Sequence, residues 1–202
     1  MNSCHKESGM TNTDTIIISF SGRANPKTNT IRFEFKNFLD KYFSIIDRHF
    51  YIDVHSNSYH NGIEGISTSI DETVEYLRKE IAPYKKAIFI GVSQGGYAAI
   101  LLGSLLSVNA VIAFIPQTYR IQKLNIDEKY RDSKPFINTT TQYYLYGDLS
   151  ITNPYSFHHI SHCERILEKG KHITIIKKDP LNIIKITWTD RELIELIESI
   201  IR

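Results

Sequence analysis

Cysteine is scarce in this chain: Cys4 and Cys163 are the two among 202 residues, and they lie far apart. They build no disulfide framework, and such usage fits a reducing compartment, so the cytoplasm is the expected location. Long hydrophobic runs are missing as well. None approaches the ~20 residues of a membrane span, and no apolar signal-type segment follows the start. Charge of one sign is not in excess: 24 Lys+Arg stand against 22 Asp+Glu, for a formal net charge of +2. Without clustered Lys and Arg, the footprint of a nucleic-acid binder is lacking. A Gly-rich phosphate loop of the P-loop or dinucleotide type is also lacking, so nucleotide cofactors are not indicated.

What is present is ordinary globular material, 42% hydrophobic and 23% charged. The length suits one domain that folds without disulfides or a structural metal. Residues 1–14 are polar and aperiodic and read as a loose leader, with Met10 a second candidate start. Residues 15–202 read as a single domain. Within it, short β-branched runs alternate with helical patterns. Strands are expected at Thr15–Phe20, His49–Val54, Lys86–Gly91, Ala110–Ile115, Gln142–Tyr146 and His172–Lys177. Helical stripes follow at Phe35–Tyr42, Ile70–Ile81, Gly95–Leu106 and Ser156–Glu168. Ser69 with Glu72, and Thr189 with Glu192, have capping-box spacing ahead of Ile70–Ile81 and of a final helix. Arg120–Thr140 reads as a polar, irregular insertion. The alternation predicts an α/β fold: a three-layer sandwich around a mostly parallel sheet of about six strands. In such sheets the working site lies beyond the carboxyl ends of the strands.

Gly91-Val92-Ser93-Gln94-Gly95 follows one expected strand and opens a helix, which is the context of a G-x-S-x-G nucleophile elbow. A sharp turn exposes the Ser93 hydroxyl, and small residues at 91 and 95 let strand and helix approach. The helix N-terminus contributes partial positive charge, and the Gln94 N–H can donate to a developing oxyanion. A chance match in a tight turn is the plain alternative; the strand before and the helix after argue against it.

On these residues the chain resembles the α/β-hydrolase superfamily, and more narrowly the bacterial proteins of surface-polysaccharide loci that include capsule O-acetyltransferases. The similarity runs through Ile18–Gly22, Asp53–Gly62, the sixteen-residue stretch from Gly91, Val111–Thr118 and Tyr146–Asp148. It implies a minimal α/β-hydrolase fold and an oxyanion hole made by Gln94 with the Ser21–Gly22–Arg23 turn, here taken as Gly22. It also implies an acid after the strand that ends at Tyr146, where Asp148 stands beside its plain reading as a turn residue. The superfamily's histidine would follow the last strand, but Leu181 occupies that place and no histidine comes after His172.

Other histidines must therefore be weighed. His158 and His159, in Tyr155–Cys163, follow a strand on its carboxyl side and are the candidate bases, with Asp148 or Asp179 to orient the ring. His55 and His60 are further possibilities, while His172 opens a strand at the wrong end. The pairs His158/His162 and His159/Cys163 are four apart, yet no second ligand pair completes a zinc site, so no metal is expected.

The leading reading is a serine-dependent acyl-ester hydrolase or acyltransferase working through a Ser93 acyl-enzyme. The resemblance points to O-acyl groups of a carbohydrate substrate, with no cofactor for hydrolysis and acetyl-CoA as donor for transfer. Tyr59, Tyr97, Tyr119 and Tyr155 are candidates for stacking on sugar rings or for plain packing. The rival reading is a hydrolase-fold pseudoenzyme that binds a partner or acts as a scaffold, for which Leu181 speaks. A carrier thioesterase ranks below both, since neither a lid nor a basic docking patch is evident.

Overall fold

The β-branched runs form strands buried on both faces, as a covered parallel sheet requires. The structure is a computed structural model and describes residues 3–10, 14–23, 33–120 and 126–202. Among the described residues the strands are β1 (Cys4–Glu7), β2 (Thr15–Phe20), β3 (Asp47–Tyr51), β4 (Lys86–Val92), β5 (Ala110–Phe114), β6 (Gln142–Asp148) and β7 (Ile173–Lys178). The helices are α1 (Lys36–Tyr42), α2 (Ile70–Ile81), α3 (Gln94–Leu106), α4 (Ser161–Leu167), α5 (Ile183–Thr189) and α6 (Arg191–Ile201). The sheet order is β1-β3-β2-β4-β5-β6-β7. Every neighbouring pair runs parallel except β1 with β3.

Side-chain alternation divides the core into two layers. Ile16, Ile18, Phe20, Phe89 and Val111 face one way and pack with Leu77 and Ile100, from α2 and α3. Ile17, Ile88, Ile90 and Ile112 face the other way and meet Phe38, Leu193 and Ile197, from α1 and α6. This is the three-layer sandwich that the alternation predicts.

Several boundaries differ from the expectation, each for a physical reason. The stretch read as a loose leader contains β1, whose Cys4–Glu7 pairs antiparallel with Arg48–Tyr51. An edge strand needs no continuous apolar run, so its composition stays polar. The sheet accordingly has seven strands rather than about six. The helix expected over Ser156–Glu168 begins only at Ser161, and the turns before it carry His158 and His159. The last helix is capped by Asp190, which accepts from the Leu193 N–H at 2.9 Å, so Thr189 instead ends α5. At α2, Ser69 accepts from the Glu72 N–H, while the Glu72 carboxylate reaches the Thr68 N–H rather than that of Ser69. Arg120–Thr140 holds two short 3-10 turns, and its Tyr130 side chain is buried against the first layer. Part of that insertion, 121–125, lies outside the described residues. No helix among the described residues is long and apolar enough to cross a membrane.

Candidate active site

The turn from β4 into α3 is strained in the manner an elbow demands. Ser93 sits at φ 55°, ψ −118°, a conformation that costs on the order of 1–3 kcal/mol for a residue with a side chain. Two hydrogen bonds hold it there: its N–H donates to Phe114 O at 2.9 Å, and its carbonyl accepts from the Tyr97 N–H at 3.0 Å. A Cβ at position 91 would lie 2.2 Å from Gly95 O, and one at 95 would lie 2.1 Å from Phe20 O. Both glycines are therefore required by backbone crowding.

The loops at the carboxyl ends of the strands converge around this serine. Arg23 follows β2, Ser56 follows β3, Gln117 and Arg120 follow β5, and Phe157 and His158 follow β6. With Ser93 and Gln94 they line a pocket of about 160 Å³, at the crevice where open α/β sheets bind ligands.

His158 Nε2 lies 2.7 Å from Ser93 Oγ. For the hydroxyl to donate, Nε2 must be the unprotonated nitrogen, which leaves the proton of neutral imidazole on Nδ1. Burial pushes the His158 pKa below the ordinary imidazole value, and no charged group contributes to that shift. No carboxylate among the described residues bonds the ring or contributes to its pKa shift, and the undescribed segments contain no Asp or Glu. Ser93 and His158 thus form a hydrogen-bonded pair with no third, acidic partner on the ring among the described residues.

The remaining expected residues sit elsewhere. His159 is exposed, and its ring bonds the Ser161 hydroxyl and N–H. Asp148 closes a turn by accepting from the Ser150 N–H and hydroxyl. This is the turn role that was its plain alternative. Leu181 is buried with Ile186 and Leu193 in the second layer, so a core side chain fills the place expected of a histidine. His60 stacks on Tyr97 and is bonded at both ring nitrogens, to the Tyr97 hydroxyl and the Asp127 N–H. Burial lowers its pKa to about 4, which makes it a neutral structural group. His162, also lowered to about 4, accepts from the Thr118 N–H. Cys163 is buried against the first layer, and its thiol is pushed up to about 12. Tyr59 and Tyr97 are buried core rings, whereas Tyr155 is 86% exposed, two residues before the pocket-lining Phe157.

Two arrangements bear on a developing oxyanion. Gln94 is the first residue of α3, so its N–H has no intrahelical acceptor and is presented beside Ser93. The Gly22 N–H instead donates to Glu34 Oε2 at 2.6 Å. Arg120 was missed by the sequence reading; its one signal was its place beyond the carboxyl end of a strand.

No protein-family model and no curated protein sequence matches the chain. Solved structures do match in fold. The capsule O-acetyltransferase of Neisseria meningitidis serogroup A superposes with a TM-score of 0.65 at 16% identity, covering 100% of this chain and 92% of that one. FphF, a fluorophosphonate-binding serine hydrolase of Staphylococcus aureus, gives 0.61 at 12% identity over 96% and 86% of the two chains. The Pyrococcus furiosus esterase Pf2001 gives 0.60 at 13% identity over 94% and 82%. The fold is that of the α/β hydrolases, as the elbow and the sheet order indicate.

Proposed function

We propose that the protein is a serine-dependent acyl-ester hydrolase or acyltransferase in which Ser93 is the nucleophile and His158 its general base. The observation that carries this is the 2.7 Å contact between Ser93 Oγ and His158 Nε2 at a strained elbow. His158 takes the hydroxyl proton as Ser93 Oγ bonds to the ester carbonyl carbon. The oxyanion that forms is met by the Gln94 N–H and the positive end of α3; Gly22 joins only when Glu34 releases its amide. Protonated His158 then gives its proton to the leaving group, an alcohol from an ester or a thiol from a thioester donor, and an acyl group remains on Ser93. Water, or a hydroxyl acceptor, gives its proton to His158 as its oxygen bonds to the acyl carbon, and His158 returns that proton to Ser93 Oγ as the acyl–Ser93 bond breaks.

A carbohydrate O-acyl substrate is the finer reading. It is supported by the fold likeness to a capsule O-acetyltransferase; the exposed Tyr155 ring, two residues before the pocket-lining Phe157, is a surface suited to a sugar face. If the reaction is transfer, acetyl-CoA is the proposed donor, since a histidine-to-alanine mutant of that acetyltransferase was solved in complex with CoA. The lesser reading is an impaired hydrolase in which Ser93 and His158 are in contact without turning over; its one support is that no carboxylate among the described residues bonds the His158 ring. The two separate on p-nitrophenyl acetate. The native protein is expected to release nitrophenol, Ser93→Ala to stay at the buffer rate, and an added sugar alcohol to accelerate release if transfer is the reaction. Equal rates for native and Ser93→Ala protein would remove the enzyme reading.

A further inference from the structure

The pocket beside Ser93 carries positive charge that no ion pair among the described residues neutralises. Arg120 is only 5% exposed, yet it lines this pocket. Its guanidinium donates to the neutral Gln117 side chain, its Nε–H has no acceptor, and it forms no ion pair among the described residues. Asp53 acts on it at a distance, without an ion pair, and the Asp53 oxygens accept from the His55 and Tyr59 N–H groups. Arg23 lines the same pocket and repels Arg120 rather than relieving it. Gln94 Nε2, on the same wall, is a second buried donor without an acceptor. The undescribed segments hold no Asp or Glu that would neutralise the pair.

A buried, unpaired guanidinium is among the costlier arrangements in a folded chain. Arg presents a planar fork of donors that matches the paired oxygens of a carboxylate or phosphate. We propose that this pocket binds an oxyanion, so that the preferred substrate is an ester carrying a carboxylate or phosphate close to the reacting carbonyl, held by Arg120 with Arg23. This inference deepens the Ser93 reading and rests on it for the word substrate; the binding itself does not depend on turnover.

The test is therefore made on Ser93→Ala protein by titration calorimetry, with pairs of esters that differ in charge. Monomethyl succinate against dimethyl succinate places the anion on the acyl side. 2-Acetoxyethyl phosphate against 2-acetoxyethanol places it on the alcohol side. At least one anionic member is expected to bind about tenfold or more tighter than its neutral twin, and which pair shows the preference names the side. Arg120→Gln is expected to abolish the preference with an unchanged or raised Tm, since it removes an unpaired buried charge. Arg120→Lys and the exposed Arg23→Gln give the same comparison where Arg120→Gln does not fold, and each is expected to weaken the preference. Equal binding of charged and neutral twins, or a preference that survives in the arginine variants, would overturn the proposal. Anion binding without turnover of either ester by the native protein would leave this site standing and remove the catalytic reading instead.

Discussion

His158→Ala is expected to lower kcat/KM for an activated ester by about 10²–10⁴-fold, the usual worth of a positioned general base. Among the described residues the ring's side-chain hydrogen bond is the 2.7 Å contact with Ser93 Oγ. It lies in the turns ahead of α4 rather than in the sheet core, so Tm should hardly move. The pH profile distinguishes this loss from a structural one. His158 must be neutral to accept the Ser93 proton, and burial lowers its pKa from 6.5. In the native protein kcat/KM should therefore rise with pH through a midpoint below 6.5 and level off by neutrality. The residual rate of His158→Ala should lack that limb. The effects of Ser93→Ala and His158→Ala should also fail to add, because the two residues act as one unit. Additive losses would mean that they act separately and that the contact is incidental.

Gly95→Ala is expected to cost about 3 kcal/mol or more of folding stability, at the upper end of overpacking effects. Its Cβ would stand 2.1 Å from Phe20 O and 2.6 Å from Ser21 O, both backbone atoms of β2 and its exit turn. Neither atom can rotate away, so β2 or the elbow must shift. The neighbouring Gly96→Ala is the control, since its Cβ would meet Pro116 atoms no closer than 3.2 Å. Urea unfolding of the three proteins separates the cases, with a large fall in midpoint for Gly95→Ala and a small change for Gly96→Ala. Comparable midpoints for both would show that the close approach of β2 to α3 is not what fixes this glycine.

Features carried by local spacing were legible in the sequence. The elbow was readable because strand, serine, glycines and helix are consecutive, and α2 because its cap and apolar stripe lie within one segment. Elements decided by tertiary context were not. β1 is four polar-leaning residues made into a strand by the β3 edge. α5 leaves Ile184 and Trp188 exposed, so no apolar stripe announces it. Thr189 and Asp190 are adjacent cap-type residues, and spacing alone cannot choose between them. The site divides in the same way. His158 and His159 are neighbours of one chemistry, and the chain path alone turns the first toward Ser93 and the second toward Ser161. Asp148 lies at the carboxyl end of β6, but its Oδ1 serves the Ser150 turn. Arg120 sits in a polar stretch where nothing in the pattern signals burial.

The measurement that bears most directly on an activated Ser93 is fluorophosphonate labelling, followed by mass spectrometry of the modified peptide. The predicted result is a single adduct on Ser93, absent from Ser93→Ala and formed much more slowly on His158→Ala. An unlabelled native protein beside a reacting serine hydrolase, or an adduct on any other residue, would contradict it.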